Sequence, residues 1–332
     1  MRIVPLAAML AGLAMIAALV GYFGASAVIR SLLAVGWLGF AAVCLIHLAV
    51  VSLEGIGWRL LVSGVRPWVF LRGRLVRDAG SEVLPFSPMG GSILGARVVA
   101  LAGVPATIAA ASTIADLTLE FLAKIAFMAL GLGLLVLLQP DAPVALPVIF
   151  GVSATGLVAV GFMALQRHGF GLFDRFARML ERGWAERTAA GVAAVHAALT
   201  EIYQRRRRLS GGFIIHLVCW VLSAVEPWVA LRLAGVPLGF ATVIVIESLV
   251  YASRTAAFAI PNAVGVQEAA YVLIGASFGL TPEMALAISL LKRARDLVIG
   301  LPALATWQAV EGGRLWRGSR RCLTGSNSTD RR

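Results

Sequence analysis

Eleven ionisable side chains fall inside stretches that are otherwise apolar. The acids are Glu54, Asp116, Glu120, Glu226, Glu247 and Asp296, and the bases are Lys124, Arg254, Lys292, Arg293 and Arg295. A charge in mid-helix costs about 2.5–3.5 kcal/mol in a bilayer, so eleven without partners would cost on the order of 30 kcal/mol. Six acids against five bases predicts mutual pairing in a protein interior. Asp116, Glu120 and Lys124 recur at every fourth position and share one helix face, with Glu120 ahead of Lys124 in the favourable order. Lys292 and Asp296 are four apart, and Arg293 and Asp296 three apart. One face is acidic and the other basic, so the two are expected to meet at the middle of the molecule. The chemistry open to such a set is recognition of a charged headgroup, or proton or ion coupling through Asp116, Glu120 or Asp296. A salt-bridge network that only joins two halves is the competing reading.

Each charged face follows a broken apolar segment. The first runs from Glu82-Val83-Leu84-Pro85 through Gly90-Gly91 to Gly103-Val104-Pro105; the second runs from Pro261-Asn262 through Gly265, Gln267 and Glu268 to Gly279-Leu280-Thr281-Pro282. Pro85 to Gly103 and Pro261 to Gly279 are both 18 positions. Paired Pro/Gly-interrupted segments in two halves of a membrane protein point to a transport site. Proline removes a backbone donor and glycine permits sharp turns. Unwound backbone at membrane depth persists only when buried in protein or lining a wet cavity. Helix N-termini starting after these breaks are expected to direct partial positive charge at a phosphate or carboxylate, with Arg97, Gln267 and Glu268 as polar contacts.

The elements that position these groups are transmembrane helices. The 332-residue chain is 59% hydrophobic and 14% charged, more apolar than one soluble core accommodates. The runs lack the alternation of barrel strands. The fold class is therefore all-α, a polytopic transmembrane helical bundle with two broken or re-entrant segments in pseudo-repeated halves. Spans are expected near 5–25, 32–57, 107–138, 143–165, 211–234, 239–260 and 283–309, since about 20 helical residues cross the hydrocarbon layer.

A net charge of +12 raises the question of nucleic acid, but the arginines cluster between spans, as the positive-inside rule requires. Arg59, Arg66, Arg72, Arg74 and Arg77 mark a cytoplasmic loop, residues 167–208 carry nine arginines against four acids, and the tail from Arg314 carries six. Both termini then lie in the cytoplasm, which needs an even number of crossings. The stretch 265–280 supplies the eighth, while 86–104 dips in and returns. Residues 1–310 read as one integral-membrane domain. Its halves, about 1–166 and 210–310, are joined by the cytoplasmic amphipathic loop 167–209, and residues 311–332 form a basic cytoplasmic tail. In the loop, Phe170, Phe173, Phe176 and Leu180 alternate with Arg175, Arg178 and Arg182, which fits a helix on an anionic inner leaflet as well as it fits a solvated loop. Cys44, Cys219 and Cys322, and His47, His168, His196 and His216, have no metal-ligand spacing, so neither a metal nor a cofactor is expected.

The segments Glu82-Val83-Leu84-Pro85 with Gly90-Gly91 and Arg97, and Pro261 to Glu268, resemble the transmembrane domain of lysylphosphatidylglycerol synthases and their flippase-like relatives over roughly residues 10–310. The continuation through Ser289-Leu290-Leu291-Lys292-Arg293-Ala294-Arg295-Asp296 is similar to the subgroup of bacterial membrane proteins associated with hopanoid biosynthesis. The resemblance implies an inner-membrane protein that moves lipids between leaflets, with membrane lipids and hopanoid-biosynthetic enzymes as partners. True synthases add a soluble catalytic domain, for which the residues after the last span leave no room; aminoacyl transfer is not expected. The candidate translocation site comprises Glu82, Pro85, Gly90, Gly91, Arg97, Asp116, Glu120 and Lys124, with Glu247, Arg254, Pro261, Asn262, Gly265, Gln267, Glu268, Lys292, Arg293, Arg295 and Asp296. The alternatives are an integral-membrane transferase with Glu82, Glu268 or Asp116 as general base, and a scaffold that docks partners on the 167–208 loop.

Overall fold

In the computed structural model, residues 21–22, 25–82, 88–138, 182–257 and 260–325 are described. The span expected at 143–165, Pro85, the Phe170–Leu180 stretch, and the span expected at 5–25 apart from residues 21, 22 and 25 lie outside them. Every regular element among the described residues is helical. The helices are α1 (Ala25–Leu60), α2 (Pro67–Glu82), α3 (Pro88–Leu101), α4 (Ala106–Leu138), α5 (Arg182–Gln204), α6 (Arg206–Ser223), α7 (Val225–Leu233), α8 (Phe240–Ala256), α9 (Val266–Ala276) and α10 (Pro282–Gly325). A 3-10 turn, Pro261–Ala263, precedes α9.

Three stretches are long and apolar enough to cross a bilayer: Val28–Leu60, Ala106–Leu138 and Arg206–Leu233, the last formed by α6 and α7 together. Their outward faces carry large apolar side chains such as Leu33, Trp37, Leu45, Leu137 and Ile214. Such a surface has no stable place in water but suits lipid. The two broken segments become short helices. At about 1.5 Å per residue, the 14 residues of α3 extend about 21 Å and the 11 of α9 about 16 Å, both less than the roughly 30 Å hydrocarbon layer. The stretch 265–280 therefore does not supply a full-length helical crossing by itself. It packs between α8 and α10.

Two glycine contacts explain how α3 folds back on α2. A Cβ on Gly91 would sit 2.3 Å from the Arg77 carbonyl oxygen and 2.6 Å from the Ser81 nitrogen; one on Gly95 would sit 2.8 Å from Arg77 Cβ. The small-xxx-small spacing lets the backbones meet, as in membrane helix pairs generally. Gly90, its neighbour in sequence, is at the start of the same helix.

The second part of the expected cytoplasmic loop is also helical. Leu199 and Ile202 of α5 are buried beside Trp58, Phe70 and Leu119, and α5 packs along α4. Through Leu199 and Ile202 it belongs to the folded body.

Two apolar clusters bracket a polar layer. Along α1, Val43 belongs to a cluster with α7, α8, α9 and α10, whereas Trp58 belongs to the cluster with α2, α3 and α5. His47 and Glu54 lie between them on one face. Along α4 the order is reversed: Ala109 to Leu119 belong to the second cluster and Phe127 to the first, with Glu120 and Lys124 between. Both long helices thus present charge at the same level, and a cavity forms there.

Candidate functional site: a charge-lined interior cavity

The cavity has a volume of about 470 Å³. Of the residues expected from sequence, Glu82, Glu120, Lys124, Arg254, Asn262, Arg295 and Asp296 line it. Asp116 lies directly behind its wall, fully buried.

The dominant wall is built by α2. Arg74 and Arg77 are each 3% exposed, which corrects their expected place in a cytoplasmic loop. Arg59, Arg66 and Arg72 are exposed, as a loop reading requires. Arg74 gives paired hydrogen bonds to Glu120, Nη1 to Oε2 at 2.8 Å and Nη2 to Oε1 at 3.1 Å. It also reaches Glu54 of α1 at 2.9 Å and Asp78 at 3.0 Å. Arg77 bonds Asp116 at 2.6 Å and also contacts Glu120. His216 of α6 shares a hydrogen bond with the other Asp116 oxygen at 2.9 Å. Planar guanidinium groups suit this work because one fork serves several carboxylates. The arginines lower the apparent hydropathy of α2, which hid a buried helix. Their spacing with Phe70 (70, 74, 77) is the helical signal that marks one inward face.

The charged helix of the second half makes its own pairs. Lys292 donates to Glu247 at 2.5 Å and to the Tyr271 hydroxyl at 3.0 Å. Arg293 bonds Glu268 through Nε at 2.6 Å. Arg295 contacts Glu226 and bonds Asp296 at 2.6 Å; His47 of α1 meets Glu226 at 3.1 Å. The expected meeting of Asp116 and Glu120 with the Lys292–Arg295 face is therefore corrected. Asp116 and Glu120 pair with the arginines of α2, and Lys292, Arg293 and Arg295 pair within the second half, while Arg254–Glu82, His47–Glu226 and His216–Asp116 join the two halves. The separations of three and four along α10 do not produce pairs of Lys292 or Arg293 with Asp296.

Several expected ligand contacts are structural. The Gly265 amide donates to its own Glu268 at 2.8 Å, so the start of α9 is capped from within. Glu268 also accepts from Ser289, which in turn accepts from Gln267. Gly265, Gln267, Glu268, Arg293, Glu247 and Lys292 thus lie outside the cavity lining and fix α9 to α8 and α10. Arg97 is 55% exposed on its side chain and pairs with Glu311 at 2.8 Å, away from the cavity.

The two broken segments do meet. Arg254 Nη2 donates to Glu82 at 3.0 Å and to the Asn262 side-chain oxygen at 2.9 Å, and Asn262 Nδ2 donates to the Glu82 carbonyl at 2.6 Å. Asn262 adopts φ 51°, a left-handed conformation that asparagine tolerates. This conformation turns the second break so that its amide reaches the end of α2.

Lys124 is the exception in this network. Among the described residues no carboxylate oxygen lies within 4 Å of its Nζ, although Glu120 is one turn away. The ammonium instead lies 5.0 Å from the centre of the Trp220 ring. Such a contact contributes about 0.5–2 kcal/mol, less than the about 2.5–3.5 kcal/mol cost of a mid-span charge. Sequence reasoning missed Arg74, Arg77, His47, His216, Trp220 and Tyr251 as parts of the site. For the histidines the signal was helical register with Glu54 and Asp116-facing positions, legible only once helix partners are known.

These features define a polytopic α-helical membrane protein with a charge-lined cavity in its interior. The chain belongs to the family of the lysylphosphatidylglycerol synthase TM region, whose family model matches residues 9–303. It is also similar to a UPF0104 membrane protein of Methanothermobacter thermautotrophicus, 24% identical over 294 residues that cover 84% of this chain and 85% of the relative. No solved structure matches it.

Proposed function

We propose that this protein is a non-enzymatic lipid translocase of a cytoplasmic membrane, which admits a lipid headgroup to the interior cavity while the acyl or polycyclic body stays in the bilayer. The observation that carries this reading is the cavity itself: about 470 Å³, at the level of the polar layer in both long helices, with charged walls from both halves. Hopanoids or related lipids are the proposed cargo, from the resemblance of the Ser289–Asp296 run to that subgroup. The proposal assigns no bond-making step to the acids, since Glu120, Asp116 and Glu268 are each held by arginine, and a carboxylate so held is a poor general base.

The test is transfer of a fluorescent lipid between leaflets of proteoliposomes, followed by quenching of the outer-leaflet label. Wild type is expected to equilibrate the label, and Glu120→Gln to lose transfer while retaining its helical content. Transfer by folded Glu120→Gln at the wild-type rate would defeat the reading.

A further inference from the structure

Around α2 the carboxylates outnumber the cations that hold them. Glu54 of α1, Asp78 of α2, and Asp116 and Glu120 of α4 form one cluster. Among the described residues, the guanidinium groups that reach it are those of Arg74 and Arg77. Counting His216 as a cation on Asp116 still leaves three positive charges against four negative. Lys124, the next cation along the wall, has no carboxylate oxygen within 4 Å among the described residues and lies on Trp220. The four acids are not held equally. Asp116 is bonded by Arg77 and His216, and Glu120 by both arginines. Asp78 takes Arg74 Nε at 3.0 Å on both oxygens, and a quarter of its side chain is exposed. Glu54 has a single contact at 2.9 Å with Arg74 Nη2, a nitrogen that Glu120 also uses, and its side chain is 11% exposed. Glu54 nonetheless lines the cavity. Of the other elements packed on α1, α6 brings Cys219 and His216 to this level. The charges of α7 and α10, Glu226, Arg295 and Asp296, gather instead at His47, seven residues or about 10 Å along α1.

We propose that this cluster is an exchangeable proton site, loaded through Glu54 from the cavity, and that its loading and unloading couple proton movement to transfer of the cargo. The coupling rests on the reading of the cavity as a translocation site; the proton site does not. A buried charge without a full partner costs several kcal/mol, and a carboxylate escapes that cost by binding a proton. One proton brings the cluster to balance. Asp116 and Glu120, each held by two cations, are poor places for it, and Asp78 is the better hydrated of the remaining two. The step adds H⁺ from the aqueous side to a Glu54 oxygen and changes no bond but that O–H. With Glu54 neutral, the Arg74 guanidinium is left to Asp78 and Glu120 on α2 and α4. With Glu54 ionised, Arg74 is drawn to α1. The proton thereby biases the α1–α2 contact at the cavity wall, which is the differential interaction that coupling requires.

The site is tested by infrared difference spectra of the purified full-length protein in detergent, titrated from about pH 5 to about pH 9. Wild type is expected to show the carbonyl band of a buried, protonated carboxyl that disappears towards the alkaline end, and Glu54→Gln to lack it. Absence of the band from wild type overturns the proposal without recourse to any variant, as does the same band in folded Glu54→Gln. Coupling is read in proteoliposomes carrying the fluorescent lipid and a gradient of one pH unit. Such a gradient is worth about 1.4 kcal/mol per proton, or about tenfold in the leaflet distribution of a cargo coupled one to one. Wild type is expected to move the distribution away from equality towards that limit, and Glu54→Gln to ignore the gradient. A wild-type distribution that the gradient leaves equal overturns the coupling. An equal response of wild type to a sodium gradient at constant pH overturns the proton as the coupled ion. The infrared titration needs no lipid movement, so a protein that shows the band but transfers nothing would refute the translocase reading and leave the proton site standing.

Discussion

At the scale of single residues, the charges separate into those that hold the bundle and those that face its cavity. Asp116 is fully buried and accepts from Arg77 at 2.6 Å and from His216 at 2.9 Å. Removing one member of such a pair strands the other in a medium that cannot solvate it, at a cost of about 3–5 kcal/mol. Asp116→Ala is therefore expected to lower the thermal midpoint in detergent by many degrees. Arg97→Ala breaks an ion pair whose arginine is more than half exposed, where pairs contribute about 0–1 kcal/mol. It should leave the midpoint nearly unchanged. Thermal scans of both variants under one set of conditions check this, and a comparable loss for Arg97→Ala would mean its contact with Glu311 matters more than its exposure suggests.

At the scale of elements, the α2–α3 contact decides where the buried arginines sit. Gly91 has no room for a methyl group: the Arg77 carbonyl and the Ser81 amide occupy that space. Gly91→Ala is expected to destabilise the protein by about 1–3 kcal/mol, the usual effect of overpacking, and to weaken lipid binding through the displacement of Arg77. Gly133→Ala on α4 is the matched control, since nothing lies within 4 Å of its added Cβ. Replacing a mid-helix glycine by alanine at an open position is favourable by roughly 0.5–1 kcal/mol. Chemical denaturation of the two variants should therefore give shifts of opposite sign.

At the scale of the whole molecule, the cavity exists because two apolar clusters close the bundle above and below a layer that charge keeps open. Ser223 is a partly buried residue on the cavity wall, and its hydroxyl donates only to the Trp220 carbonyl. Ser223→Trp fills part of the space without removing any ion pair. We expect a thermal midpoint within a few degrees of wild type, as for changes of about 1 kcal/mol or less, together with at least about a tenfold fall in lipid transfer, roughly 1.4 kcal/mol. Transfer at the wild-type rate with a bulky residue in place would show that lipid takes another route.

The sequence by itself determined the class and much of the cast. Apolar runs of about 20 residues can only be membrane helices, and interior charges at helical spacing had to be paired because lipid does not solvate them. Glu120, Lys124, Arg254, Arg295 and Asp296 were named on that basis, Glu82 and Asn262 from the two broken segments, and all seven line the cavity. The identity of the partners belonged to the tertiary structure. Asp116 and Glu120 find Arg74 and Arg77, which hydropathy assigned to a loop, because a 16-residue helix with its cations facing inward has the composition of an exposed one. Glu268 and Arg293, equally plausible as ligand contacts, turn out to cap and lock a turn. That Lys124 has no carboxylate partner within 4 Å among the described residues also could not be read from Glu120 one helical turn away, since spacing along a helix states which groups can meet and only packing between helices decides which do.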